Sequence, residues 1–350
     1  MLGPADVGHR VVVRRRAGSR AGRPLFTDAL GELIEVTGTT LTVATRTGPV
    51  IIDRAGVVAA KRVPPRPVTR REIVAVEIAA SQAWPAPVQE RLGEWLLRAA
   101  DGWSNRANSA LPIGDPGMPL AAAIEEVRRW YAARNMPAAI TVPLPLAARL
   151  DAELTARGWH GRTPVLVQTA TLAAVREAAP EPSPAPDGPD RRQPGPDGAV
   201  RLSPAPSASW LSLAATPGDR ASPGPLPPAA LQVLTTGGQV PVRFAHVHDA
   251  SGDLIAAGRG TVTGGGRWLG LSRMRVAPSA RRRGVARQMV AALAAWAAAA
   301  GATDAFLQVE EDNAAAIRLY AGLGFRAHHR YVTRSQPRSA RRGLVDRDRA

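Results

Sequence analysis

Residues 271–300 demand a strand, a tight turn and a helix in quick succession, and that demand narrows the folds open to the chain. Leu271-Ser272-Arg273-Met274-Arg275-Val276-Ala277-Pro278 reads as a strand stopped by a proline, which cannot continue a sheet ladder. A basic loop follows, Arg281-Arg282-Arg283-Gly284-Val285-Ala286, and then a run of Ala, Met, Val, Leu and Trp that reads as a helix. The loop has the form R-x-x-G-x-A. A helix begun this way points unpaired backbone N–H groups, and the positive end of its dipole, at whatever lies in front of it. Acidic residues are favoured there, so three arginines oppose the dipole. A local rule broken at a helix start points to an anionic ligand. The plainer alternative is a solvated basic turn, since the chain is Arg-rich throughout and has a second triplet at Arg14-Arg15-Arg16.

The sequence downstream favours the anion site. Phe306-Leu307-Gln308-Val309 reads as a second strand, and Glu310 to Tyr320 runs into Gly322-Leu323-Gly324-Phe325. On these residues the chain resembles the GNAT superfamily of acyl-CoA-dependent N-acyltransferases. The resemblance rests on the V-x-P strand end (Val276, Pro278), the R-x-x-G-x-A loop (Arg281, Gly284, Ala286), and N-x-x-A-x-x-L-Y-x-x-x-G-F from Asn313 to Phe325. It covers residues 200–335. A closer likeness, to actinobacterial GNAT proteins with an amino-terminal small barrel, extends over most of the chain. The fold it implies is α+β: a central mixed, splayed sheet flanked by helices, with a GNAT-like pseudo-repeat and a small amino-terminal β-barrel.

Acyl transfer from a thioester to an amine needs a bound electrophile, a neutral amine, a stabilised oxyanion and a proton for the leaving thiolate. The resemblance implies acetyl-CoA as co-substrate and no metal. It lays the pantetheine beside Met274 to Val276, with the Met274 amide as donor to the thioester carbonyl. It also puts the pyrophosphate on the loop of Arg281, Arg282, Arg283, Gly284, Val285 and Ala286. Gly284 permits close backbone approach there. Asn313 and Tyr320 stand seven apart, two helical turns, and share one face. Asn313 is expected on the pantetheine arm and Tyr320 as proton donor to the sulfur. A helix N-cap is the structural alternative for Asn313, and a core aromatic for Tyr320.

The general base departs from some relatives. Several GNAT subfamilies hold a Glu in the second strand where this chain has Gln308, and an amide cannot take the proton. Glu310 or Glu311 is the expected substitute, with His246 and His248 behind them. A lysine amine with pKa ~10.4 needs ~3.4 units, about 4.6 kcal/mol, to be neutral at pH 7. An α-amine near ~8 needs about 1.4 kcal/mol, so a weak base tilts the expectation toward a low-pKa acceptor.

Composition bounds the rest. Cysteine is absent, which excludes disulfides, thiolate metal sites and a cysteine nucleophile. His246-x-His248 and His328-His329 lack a ligand set of zinc spacing. The longest apolar run, Met289 to Gly301, is too short for a bilayer, and the first residues have no apolar core before Arg14, so cytoplasm is the expectation. The +16 charge is uneven, with 13 basic against 5 acidic residues in 1–71, 12 against 15 in 72–200, and 15 against 7 in 201–337. A basic carboxy-terminal domain suits a polyanion such as CoA. The basic amino-terminal segment has only Phe26 for base stacking, so nucleic-acid binding there stands behind a solvated basic face.

Turn and strand signals divide the chain into an SH3-like small barrel over 1–66, a block at 70–175, a Pro/Gly-rich linker at 176–199, a catalytic domain at 200–336 and a disordered basic tail at 337–350. The block at 70–175 repeats the end of the chain. Trp130 to Trp159 and Trp296 to Phe325 both span 29 positions, at a constant offset of 166. That offset sets Asp115 on Arg281, Met118 on Gly284, Ala147 on Asn313 and Leu154 on Tyr320. The block is therefore expected to be a GNAT-like half without the cofactor motif. Taken together, these readings predict an acetyl-CoA-dependent N-acetyltransferase with a small-molecule or protein amine as acceptor and no membrane partner. The rival is a catalytically idle CoA-sensing or nucleic-acid-associated module.

Overall fold

A computed structural model describes residues 2–20, 23–64, 66–179, 198–214 and 226–337. Most of the segment expected as a linker and all but the first residue of the expected tail lie outside the described residues. The chain divides into two compact units, Met1–Val68 and Thr69–Ala350.

The first unit is one antiparallel sheet: β1 (Arg10–Arg20), β2 (Arg23–Val36), β3 (Thr40–Thr45), β4 (Gly48–Asp53) and β5 (Val57–Arg62), in the order β4-β3-β2-β1-β5. Alternation of Val11, Val13, Leu33, Leu41, Val43 and Ile52 builds its core. The first two strands are long, and Gly18 to Arg20 pairs with Arg23 to Leu25 to extend their hairpin. Phe26 stands about half exposed on it.

The second unit opens with α1 (Arg70–Ala83), fixed at its start by a capping box in which Thr69 and Glu72 bond each other's backbone. Next come β6 (Val88–Leu92), β7 (Trp95–Ala99), α2 (Leu120–Ala132), β8 (Ala139–Leu144), α3 (Ala148–Ala156), β9 (His160–Gly161), β10 (Val165–Thr171) and α4 (Leu172–Ala178). Then β11 (Val200–Ser203), α5 (Ala208–Ala214), α6 (Pro228–Leu234), β12 (Val242–His248), β13 (Leu254–Thr263) and β14 (Trp268–Val276) follow. Last are α7 (Val285–Ala299), β15 (Asp304–Glu310), α8 (Ala314–Ala321) and β16 (Arg326–Ser335). No helix among the described residues is long and apolar enough to cross a membrane.

The repeat is visible in the elements: α2, β8 and α3 correspond at the offset of 166 to α7, β15 and α8 within two residues at each end. The two blocks nevertheless share one sheet. Its order is β11-β12-β13-β14-β15-β10-β16-β8, with β9 on β16. Strand β10 of the earlier block lies between β15 and β16 of the later one, while β16 continues past it to pair with β8. α1 crosses over as well. Val76, Ala79, Ala80 and Ala83 pack on Trp268, Phe306 and Tyr331, strands of the later block. On the opposite face, Met289, Val290, Leu293, Ala294 and Ala297 of α7 form the core with Leu269, Leu307 and Val309.

One charged side chain fastens α1 and α6 to the sheet. Arg259 of β13 is fully buried and donates to the carbonyls of Ala83 (2.9 Å) and Leu234 (2.7 Å), the last residues of those two helices. It also donates to Ser272 Oγ at 3.1 Å. A guanidinium at two helix C-termini satisfies orphan carbonyls and opposes the negative dipole ends. Burial lowers its pKa to about 9, still charged at neutral pH.

Candidate active site

The site begins where two parallel strands part. β14 and β15 pair from Trp268↔Asp304 to Leu271↔Leu307 and no further. Beyond that, Ser272 to Val276 stays with β13 through an irregularity opposite Gly258, and Gln308 to Glu310 stays with β10. Arg273 holds the distortion with φ 54°, a left-handed conformation costly for a non-glycine residue. Met274 lies over Gly258, where a Cβ would meet its sulfur at 2.7 Å. A wedge-shaped gap therefore opens between Ser272–Val276 and Gln308–Glu310, with backbone groups of β14 freed from the β15 ladder.

The helix start predicted to hold an anion lies at the end of β14. Arg282 (φ 63°) and Gly284 (φ 80°) are both left-handed, and Gly284 is the N-cap of α7 with no side-chain cap and no acidic residue in the first turn. Among the described residues, the N–H groups of Arg282, Arg283, Gly284, Val285 and Ala286 donate to no protein acceptor. Arg287 is the first to bond back, to the Gly284 carbonyl at 2.9 Å. The side chains of Arg281, Arg282 and Arg283 are exposed, and Arg281 Nε donates to the Val276 carbonyl at 3.2 Å, tying loop to strand. The corresponding start of α2 offers fewer donors. Asp115 Oδ1 accepts from Gly117 N–H at 2.8 Å, Glu94 takes the Asp115 N–H, and Pro119 at the cap has no N–H to offer.

Asn313 and Tyr320 stand at the two ends of α8. Asn313 is its N-cap, with Oδ1 accepting from Ala316 N–H at 3.1 Å, so the structural alternative is realised and Nδ2 is left as a donor. Tyr320 is the one buried residue of that helix, edge-on to Phe325 at 5.7 Å. Burial raises its phenol pKa above the usual value, which keeps the hydroxyl protonated at neutral pH. Ala316 and Ile317, between them, pack against the main core.

The candidate bases divide. Glu310 and Glu311 are exposed at the end of β15, and Glu311 sits 3.9 Å from Arg330. His246 and His248 stack 6.2 Å apart on β12, three strands from β15. His246 is bonded to Ser203 Oγ at 2.8 Å and is lowered to about 4 by burial and then His248. Gln308 alternates away from the core residues Leu307 and Val309, and its Oε1 accepts from Arg106 Nη1.

On that face the earlier block supplies most of the groups. Trp84 and Trp103 stack at 5.5 Å, with Arg273 5.2 Å and 5.0 Å from their ring centres and Arg106 4.9 Å over Trp84. A small cavity beside Gln308 is lined by Glu77, Ser81, Arg98, Arg106, Thr141 and Tyr331. Sequence reading passed over these residues. The available signal was Glu77 itself, a carboxylate inside the apolar stripe Ile73, Val76, Ala80, Ala83 of α1.

A splayed mixed sheet with an uncapped helix start and unengaged backbone N–H groups defines a class, and comparison with known proteins agrees: the molecule is a GNAT-type N-acetyltransferase. Within that class the chain belongs to the family described as "Probable histone acetyltransferase Rv0428c C-terminal", matched over residues 70–333. It is 33% identical over 337 residues to the "Probable histone acetyltransferase Rv0428c" of Mycobacterium tuberculosis, covering 94% of this chain and 95% of the relative. It is 26% identical over 275 residues to the "Uncharacterized N-acetyltransferase YobR" of Bacillus subtilis, covering 75% and 99%. A solved "GCN5-related N-acetyltransferase from Kribbella flavida" shares the fold at TM-score 0.50 and 18% identity, over 79% of this chain and 98% of that one.

Proposed function

We propose that this chain transfers an acetyl group from acetyl-CoA directly to a primary amine. The observation that carries the reading is the run of unengaged N–H groups from Arg282 to Ala286, set at a positive helix end where two strands part. That donor set fits a pyrophosphate. Acetyl-CoA supplies the acetyl group as a thioester, whose C–S bond breaks as the C–N bond to the amine forms. In this reading the Arg282–Ala286 backbone, with Arg281 to Arg283 around it, binds the diphosphate. Backbone groups of Met274 to Val276 line the gap, and the Met274 N–H donates to the thioester carbonyl. Asn313 Nδ2 holds the pantetheine arm, and Tyr320 gives its proton to the leaving sulfur. The amine comes from a small molecule or a protein, and the name of the mycobacterial relative suggests a histone as one acceptor to try.

Free thiol released on incubation with acetyl-CoA and a panel of amines tests the reading. Binding of acetyl-CoA with no thiol released for any acceptor would instead support an idle CoA-sensing module. The smaller donor set at the start of α2, together with Ala147 and Leu154 at the positions matching Asn313 and Tyr320, leads to a further expectation. Calorimetric titration should give one acetyl-CoA per chain. A second site of similar affinity would show that the earlier block retains a cofactor seat.

A further inference from the structure

We propose that Glu77, carried on α1 and paired with His329 of β16, takes the proton from the acceptor amine. The inference rests on the N-acetyltransfer reading above and deepens it by naming the base. Glu77 and His329 are both nearly fully buried, and Glu77 Oε1 lies 2.8 Å from His329 Nε2. His329 Nδ1 lies in turn 2.7 Å from His328 Nδ1, and His328 is only partly buried. The three groups fix one another's protons if Glu77 is ionised. His329 then donates from Nε2 to the carboxylate and accepts at Nδ1 from His328.

The position suits the task. Gln308 is the first residue of β15 past the last β14 pair, and its side chain turns away from the α7 face. Glu77 lines the cavity beside that same side chain. An amine entering from the α1 face would meet the acyl carbon in the gap from the side opposite α7, with Glu77 at hand. The charged and titratable groups around Glu77 are known from every packed element. α1 adds Glu72, which acts on His328, β7 adds Arg98, the turn between β7 and α2 adds Arg106, β15 adds Glu310, which acts on Tyr331, and β16 adds His328, His329 and Tyr331. Burial pushes the Tyr331 phenol up to about 12, so it stays protonated, and holds His328 down at about 4, so it stays neutral near pH 7. A mere tie between α1 and β16 would be served as well by an apolar pair, since buried ion pairs seldom add net stability.

The protons balance. An ammonium acceptor loses two protons on becoming an amide. One leaves with Glu77, as an N–H bond breaks and an O–H bond forms, and passes on to water. The other offsets the proton Tyr320 gives to the thiol.

The test uses the full chain. Glu77→Gln should lower kcat by roughly 10²–10⁴-fold, with the acetyl-CoA Kd by calorimetry unchanged. An acid limb in the wild-type rate profile should be missing in E77Q. Glu77→Asp should recover part of the rate and keep the limb. Wild-type activity in E77Q, or equal losses in E77Q and E77D with the limb intact in both, would overturn the proposal. So would a loss seen in a Glu310→Gln/Glu311→Gln double variant and not in E77Q, which returns the role to the strand end. ¹⁵N spectra of the histidines give a reading free of turnover and of variant folding. His329 should carry its proton on Nε2 at pH 7. A bare Nε2 would mean that Glu77 is the donor of the pair, already protonated, and no base. If the wild type releases no thiol, the N-acetyltransfer reading falls first, and the His329 spectrum still decides whether Glu77 can accept a proton.

Discussion

Gly284→Glu is expected to remove acetyl-CoA binding while the protein stays folded. The position has open space around it, so a Cβ meets nothing within 4 Å. Its φ of 80° makes any L-residue there strained, a cost of about 1–2 kcal/mol. The carboxylate would sit among the N–H groups of residues 282–286, the groups proposed to receive a diphosphate. Carboxylate against phosphate then adds repulsion to the lost hydrogen bonds. Each hydrogen bond lost to a charged group is worth about 1.5–3 kcal/mol, roughly a 10-fold to 150-fold rise in Kd. Gly284→Ala separates the two causes, because it carries the backbone strain without the charge and should weaken binding far less. Equal calorimetric affinities for the wild type and a folded G284E would refute the loop assignment.

Tyr320→Phe should act on turnover and leave acetyl-CoA affinity nearly unchanged. The ring packs edge-on to Phe325 in the core, and phenylalanine keeps that packing. Only the hydroxyl proton is lost, so kcat should fall by roughly 10–1000-fold, at or below the range for a general acid. The sign of the pH effect follows from burial. A phenol raised above its ordinary value stays protonated as pH climbs past neutrality, so the acid remains loaded at every pH where an amine is easily neutral. An alkaline limb below pH 10 in the wild type therefore belongs to another group. A Y320F enzyme with full turnover would mean that the thiolate leaves without this proton.

The elements that sequence reading located are those whose causes are local. The strand read as stopping at Pro278 is β14, Trp268–Val276, because the proline marks its end. The loop at Arg281–Ala286 and the Asn313–Tyr320 helix were legible through spacing that a single turn or helix face dictates. The offset of 166 was legible because both blocks repeat the helix-strand-helix rhythm. What escaped depends on partners far along the chain. The place of β10 between β15 and β16 is written in no stretch of neighbouring residues, since an apolar strand such as Val165–Thr171 suits any interior slot. The α5 helix was missed as well, a single short segment whose Trp210 is buried against Phe244. Arg259 looked like one more arginine in an Arg-rich chain, and only the fold sets two helix ends against it. Glu77 and His329 lie 252 positions apart, too far for any spacing rule to join them.

The place of β10 also governs how this polypeptide must come into being. Val165 pairs with Glu310, a partner that leaves the ribosome 145 residues later. Until then β10 has no neighbour of its own sheet, and its unpaired edge is the kind that recruits strands from other chains. Leu144 waits longer still, for Arg330. Closing loops of this length precedes the reward of pairing and makes assembly slow. Gene fragments that separate the two blocks would each lack an interior strand, so neither could close its sheet except by capturing the other. The two blocks complete one sheet between them, and separating them would leave both open.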